Sequence, residues 1–307
     1  VVRAAQGSRP VVTGTVGQYS TTIAVDQASY VEISGLEVSN PSTLNRDGTG
    51  IGGAYSTHIV VSNCVVHDCG QSGIGFYRSG AIRIEGNTVY DNSATGVYQG
   101  SGISLYQSWD HEPVMGSWEN VIRGNIVYRN RNETQGPSGV RTDGNGIIVD
   151  DDRQKQDFNP SDRNRRASRP QAGGTLVTDN LCFGNGGRGI QVFSSSRVRI
   201  ERNTCYRNCA DPEVGGGELS VSDSSDVTLV RNVALARPDR CAIWFYRGDG
   251  DGRMLRNGNI LDGRAVDENG VALPKGDDIE EKVRLKDPKQ GDFRCPKGLG
   301  SQIANVH

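Results

Sequence analysis

Apolar and polar residues alternate with period two over runs of roughly three to five residues, rich in Val and Ile and closed by Asn, Gly or Ser. Such runs are too short for helices, and no stretch carries the 3.6-residue spacing of an amphipathic helix, so the elements they predict are strands. The runs are themselves ordered by a longer repeat. A unit of the form apolar-x-apolar-x-x-Asn-x-apolar-x-x-Asn, then a few polar residues, then Gly-Ile-x-apolar, recurs along most of the chain. It reads HIVVSNCVVHDCGQSGIGF (58–76), AIRIEGNTVYDNSATGVYQGSGISL (81–105), NVIRGNIVYRNR (120–131) closing in GNGIIV (144–149), LVTDNLCFGNGGRGIQV (176–192), VRIERNTCYRN (198–208) and VTLVRNVAL (227–235).

The leading asparagines, Asn63, Asn87, Asn125, Asn180, Asn203 and Asn232, are 24, 38, 55, 23 and 29 residues apart, which gives a coil of about 23–25 residues with insertions. Strands this short, recurring once per coil, pair with the same strand of the next coil and build an all-β solenoid of parallel strands. Parallel crossovers are right-handed. An Asn at one place in successive coils suits a left-handed corner, and its amide can bond the amides above and below. These asparagines are read as structural.

With these motifs the chain resembles the right-handed parallel β-helix proteins that act on polysaccharides: pectate and alginate lyases, polygalacturonases and mannuronan epimerases. The resemblance covers about residues 30–262. It implies a right-handed parallel β-helix over 1–262, an acidic polysaccharide partner, a monomer, and a secreted or periplasmic location. Residues 1–29 read as a degraded first coil, and 263–307, which lose the pattern and hold five of the six lysines, as a C-terminal cover of the same domain. Solenoids need end caps and no N-terminal cap is visible, so the native chain is expected to begin earlier.

Composition narrows the function classes. With 35% hydrophobic residues and 41 glycines the bulk of the chain is not disordered. The longest apolar run, Cys241 to Tyr246, is far short of the ~20 residues of a membrane-spanning helix. A net charge of −2 lacks the basic footprint of a nucleic-acid binder. Seven cysteines are too sparse for a disulfide scaffold. Cys182 and Cys205, each two residues after a ladder Asn, are expected to point inward and stack, as a disulfide or as a thiol pair.

In a solenoid the core takes alternate residues, leaving chemistry to outward residues and inserted loops. Alignment on Gly-Ile gives one outward row, Tyr77, Tyr106, Asp150, Phe193, Ser222 and Tyr246, and a next row, Arg78, Gln107, Asp151, Ser194, Asp223 and Arg247. Aromatic faces suit sugar rings, and arginines suit carboxylates through paired hydrogen bonds. Insertions at 107–118, 131–143 and 153–172 flank the coil that ends in Val149-Asp150-Asp151-Asp152, and they bring Trp109, His111 and Arg141 as further substrate contacts. The third carries Arg153, Lys155, Arg163, Arg165, Arg166 and Arg169 against Asp157 and Asp162, a basic flap beside an acidic knot. Consecutive carboxylates repel unless they are separated, protonated or neutralised by a cation. Asp143, Asp150 and Asp152 are therefore assigned as a Ca²⁺ half-site, and Asp151 as a catalytic group.

Two reactions compete. In a lyase, a base removes the proton beside a uronate carboxylate whose charge a cation neutralises. The family resemblance implies Ca²⁺ with a Lys or Arg base, and Lys155, Arg153 and Arg188 are the candidates; carboxylates around Lys155 oppose that role unless Ca²⁺ cancels them. In a hydrolase, paired Asp residues act as acid and base. Thr142-Asp143-Gly144 and Asp150-Asp151 faintly resemble polygalacturonase motifs, without that family's spacing or its histidine. A non-catalytic glycan-binding β-helix is the third reading. The expectation is a Ca²⁺-assisted lyase acting on an alginate- or pectate-like polymer, and inactivity of Asp151→Asn.

Overall fold

A computed structural model describes residues 1–14, 20–41, 47–109, 117–156, 173–248, 253–274, 276–304 and 306. Each short Val/Ile run pairs in parallel with the run one coil on, so the chain winds into a β-helix with three lengthwise faces. The first face holds strands such as Thr57–Ser62, Gly80–Glu85 and Trp118–Arg123. The second holds three-residue strands such as Val65–His67, Thr88–Tyr90 and Ile126–Tyr128. The third is a nine-stranded sheet that includes Ile74–Tyr77, Ile103–Tyr106, Ile147–Asp150, Ile190–Phe193, Gly217–Ser222 and Cys241–Tyr246.

Period-two alternation fills the interior with aliphatic columns. Ile51, Ile74, Ile103, Ile147, Ile190, Leu219 and Ile243 stack one per coil on the third face and are all fully buried. Each such side chain stabilises the fold by ~1.5–3 kcal/mol. Cys182 and Cys205 are register partners inside this core, and all seven cysteines are buried free thiols.

The corner between the first and second faces is an asparagine ladder. Asn87, Asn125, Asn180, Asn203, Asn232 and Asn259 are each 1% exposed or less. Each donates its backbone N–H and its Nδ2 to the Oδ1 of the next, as Asn125 does to Asn180 at 2.9 Å; the ladder ends on Asp278. A second ladder five residues on, Asn92, Asn130, Asn185 and Asn208, ends on Glu218. Asn63 is not a rung. It is exposed and left-handed at φ 54°, in the place where Gly86, Gly124 and Asp179 turn the chain, and Cys64 takes the rung, its N–H donating to Asn87 Oδ1 at 2.9 Å.

The sheets also run past residue 262. Ala265–Asp267 extends the third face and Asp277–Glu280 the long sheet, so a further coil forms from residues assigned by pattern to the cover. Leu285, Phe293 and Cys295, with Leu299, Ile303 and Val306, then pack sideways against Leu181, Val233, Leu235 and Ile260 on the second face. The C-terminal segment straps a flank.

Candidate active site

The first outward row lies in register on the third face as the Gly-Ile alignment predicts: Tyr77, Tyr106, Asp150, Phe193, Ser222 and Tyr246 are successive partners. Tyr77 and Tyr106 stack with ring centroids 5.4 Å apart, and Tyr55 lies 5.8 Å from both Tyr77 and Trp109. Tyr246, three coils beyond Asp150, is exposed and stacks on Trp244. Arg247 beside it is exposed.

The second row departs from expectation. Arg78, Gln107, Asp151, Ser194 and Asp223 all have φ between 44° and 54°, each donating its N–H to the carbonyl that ends the strand one coil on. That left-handed turn breaks the alternation, so these side chains run beneath the turn instead of outward. Arg78 is buried, its Nε donating to Gln107 Oε1 at 2.9 Å and its guanidinium over the Tyr77 ring. Asp151 is 0% exposed and accepts from Gln107 Nε2 (2.6 Å), Lys155 N–H (2.6 Å) and Gln156 N–H (2.9 Å). It caps the root of the 153–172 insertion, and the geometry leaves it no path to a substrate.

Asp152 belongs to a third row, a buried ladder of Ser56, Ser79, Ser108, Asp152, Ser195 and Ser224, one per coil and five residues after each inward Ile or Leu. It accepts from Ser108 N–H at 3.0 Å, and its own N–H donates to Ser195 Oγ at 3.1 Å. The three consecutive acids therefore point three ways. Of the three, only Asp150 stands in the outward row of the third face.

Asp150 is a strongly perturbed acid. Burial, then the charges of Asp143, Asp151 and Asp152, push its pKa well above the carboxylate range, opposed by Gln156 Nε2 donating to Oδ1 at 2.9 Å. Asp143 is raised to about 6 by burial, with the Arg188 guanidinium and the Asn145 amide pulling it down. Arg188, whose own pKa is lowered by burial, donates to Thr142 O at 2.5 Å. The Tyr106 hydroxyl, between Tyr77 and Asp150, is buried with no hydrogen-bond partner among the described residues, and burial beside Asp150 and Asp151 raises its pKa. This side of the β-helix thus carries two carboxyls raised above the ordinary range, Asp150 and Asp143, with a phenol held toward its neutral form and a guanidinium.

The remaining residues expected at the site divide. Lys155 Nζ lies 3.1 and 3.2 Å from the two Asp223 oxygens, and Arg153 donates to Asp223 O at 2.7 Å; Asp223 thereby ties the start of the basic insertion across two coils. Arg141 pairs with Asp211 at 3.1 Å and Glu213 at 2.7 Å. His111 lies outside the described residues. Among the described residues, no three His, Cys, Asp or Glu side chains are grouped to hold a metal. The donor set expected for Ca²⁺ does not fit as one site, because Asp152 is engaged in the serine ladder and Asp150 stands in the outward row. Gln156 and Asp223 escaped the sequence reading: neither is a chemical motif, although Asp223 stood in the second row. The serine ladder was legible, as every rung is the fifth residue after an inward aliphatic.

The sequence matches the family described as the right-handed beta helix region over residues 15–159 and 141–278. A search of curated proteins returns no match. Among solved structures the chain is similar to the mannuronan C-5 epimerase AlgE6 A-module of Azotobacter vinelandii (TM-score 0.50, 16% identity), covering 83% of this chain and 65% of that one. It is also similar to the pectate lyase Pel9A (TM-score 0.47, 13% identity), covering 91% of this chain and 68% of that one. At these identities the likeness is one of fold. No helix among the described residues is long and apolar enough to cross a membrane.

Proposed function

The chain belongs to the right-handed β-helix family, and on that premise we propose that it is a polysaccharide lyase cleaving an alginate- or pectate-like uronate polymer by β-elimination. One observation carries this: Asp150, with its pKa raised, and a Tyr106 hydroxyl without a hydrogen-bond partner among the described residues share one outward row, and Asp143, held down by Arg188, lies near enough for its charge to act on Asp150. The aromatics Tyr77, Tyr106, Phe193 and Tyr246 extend that face along the axis as sugar contacts.

In this reading Asp150 donates its O–H to the uronate carboxylate, lowering the cost of charge at the adjacent carbon. The Asp143 carboxylate takes the proton from that carbon. The released electron pair forms the new C=C bond as the neighbouring C–O bond breaks, and the departing oxygen takes the Tyr106 proton. Proton transfer from Asp143 to solvent, and from solvent to Tyr106, restores both groups. Lys155 and Arg153, engaged by Asp223, hold the loop root.

A second reading is hydrolysis, favoured by the same two carboxyls: Asp143 raises Asp150, and such a divergent pair suits an acid and a base. Incubation with a panel of polyuronates separates them. Ultraviolet absorbance of an unsaturated uronate product is the lyase outcome, reducing ends without it the hydrolase outcome, and neither across the panel leaves glycan binding.

A further inference from the structure

Beside Asp143 lies a second feature to which the elimination assigns no substrate contact. Arg188 enters the third face just before strand Ile190–Phe193, and Arg240 just before strand Cys241–Tyr246, two coils further along the axis. The coil between them offers no side chain at the matching place: it reads Gly215-Gly216-Gly217. Gly216, at φ 125°, is overlain by Arg188 so closely that a Cβ there would stand 2.6 Å from Nε and 2.9 Å from Cγ. The glycine step leaves room for the Arg188 side chain over Gly216, and the charge of Arg240 contributes to lowering the Arg188 pKa.

Both guanidiniums are incompletely satisfied. Arg188 uses one terminal nitrogen on Thr142 O, and Arg240 one on Asp211 O at 2.8 Å. The Nε–H of each is buried with no acceptor among the described residues. Asp239 pairs with Arg240 only at 3.9 Å and has 77% of its side chain exposed. Asp143 offsets part of the Arg188 charge, but both guanidiniums keep an Nε–H without an acceptor among the described residues; a further anion would balance the two neighbouring cations, and the planar fork of arginine matches a carboxylate.

We propose that Arg188 and Arg240 form a seat for a carboxylate of the polymer other than the one held at Asp150, so that the enzyme requires uronates at more than one position of its substrate. This extends the uronate-lyase reading and takes its substrate class from it. The seat lies further along the axis, in the direction that leads from Asp150 to Tyr246, and would select contiguous polyuronate over a chain in which uronates are isolated among neutral sugars.

Affinity electrophoresis in gels containing polyuronate, or the same polymer after carboxyl reduction, tests it on wild type, Arg240→Gln and Arg240→Lys. Arg240→Gln is expected to weaken the Kd for polyuronate about tenfold or more, the scale of one lost charged hydrogen bond, with no change on the neutral polymer. Arg240→Lys, which keeps a point charge without the fork, should weaken it less; it also serves as the test if the Gln variant fails to fold. Equal retardation of wild type and variants by polyuronate, or an equal loss on both polymers, overturns the seat while unsaturated product from wild type would still uphold the lyase. A wild type that polyuronate does not retard overturns both.

Discussion

Glu218 ends the second asparagine ladder with a carboxylate where every earlier rung has an amide. It is 1% exposed, accepts from Asn208 N–H and Nδ2 at 2.9 and 2.6 Å, and burial raises its pKa to about 8. Because the folded-state value is raised, the neutral acid contributes stability that is complete below the ordinary glutamate range and is lost as pH rises through about 8. Melting temperature should therefore fall between mildly acidic pH and pH about 8, and Glu218→Gln should flatten that fall. An unchanged pH profile of melting in the variant would contradict the assignment. Two aspartates give a second contrast. In the proposed reaction Asp150 acts as a neutral acid, so Asp150→Asn, a neutral amide of similar shape, should barely move melting while turnover disappears. Asp151→Asn turns an acceptor of three N–H donors partly into a donor, and should lower stability by about 1–3 kcal/mol. Measured side by side, equal melting losses would refute the division of roles.

At the scale of elements, the strands and their register were readable because side-chain period and coil length are both written in the sequence. The first outward row followed from Gly-Ile alone. The second row was misread because left-handed turns at Arg78, Gln107 and Asp151 interrupt the alternation, and nothing in these residue types announces positive φ. Asp152 was misread for a different reason: three adjacent acids look like one cluster until the serine ladder shows that their directions diverge. The perturbed state of Asp150 depends on burial created by neighbouring coils and on Gln156, which pattern alone does not supply. The asparagine ladders offer a direct test of the corner. Asn180→Ala removes bonds to Ile122 O and Asn203 Oδ1 and strands the donors of Asn125, so a loss of about 3 kcal/mol or more is expected. Asn63→Ala, at the exposed left-handed position, should cost only about 1 kcal/mol. Chemical denaturation of the pair measures this difference, and equal losses would mean that the rung is misplaced.

Across the whole molecule, the β-helix acts as a ruler: coils ~4.8 Å apart set aromatic rings, acids and arginines in a line along one face. The loop root tied by Asp151 and Asp223 adjoins Asp150, while the C-terminal strap lies on the second face. This division leaves the third face to the proposed polymer. The most direct test is the ultraviolet absorbance of unsaturated product during incubation with polyuronates, for wild type, Asp143→Asn, Asp150→Asn and Tyr106→Phe. Rising absorbance from wild type, lost in all three folded variants, is the predicted result. Reducing ends without absorbance from wild type, or full turnover by Asp150→Asn, would contradict it.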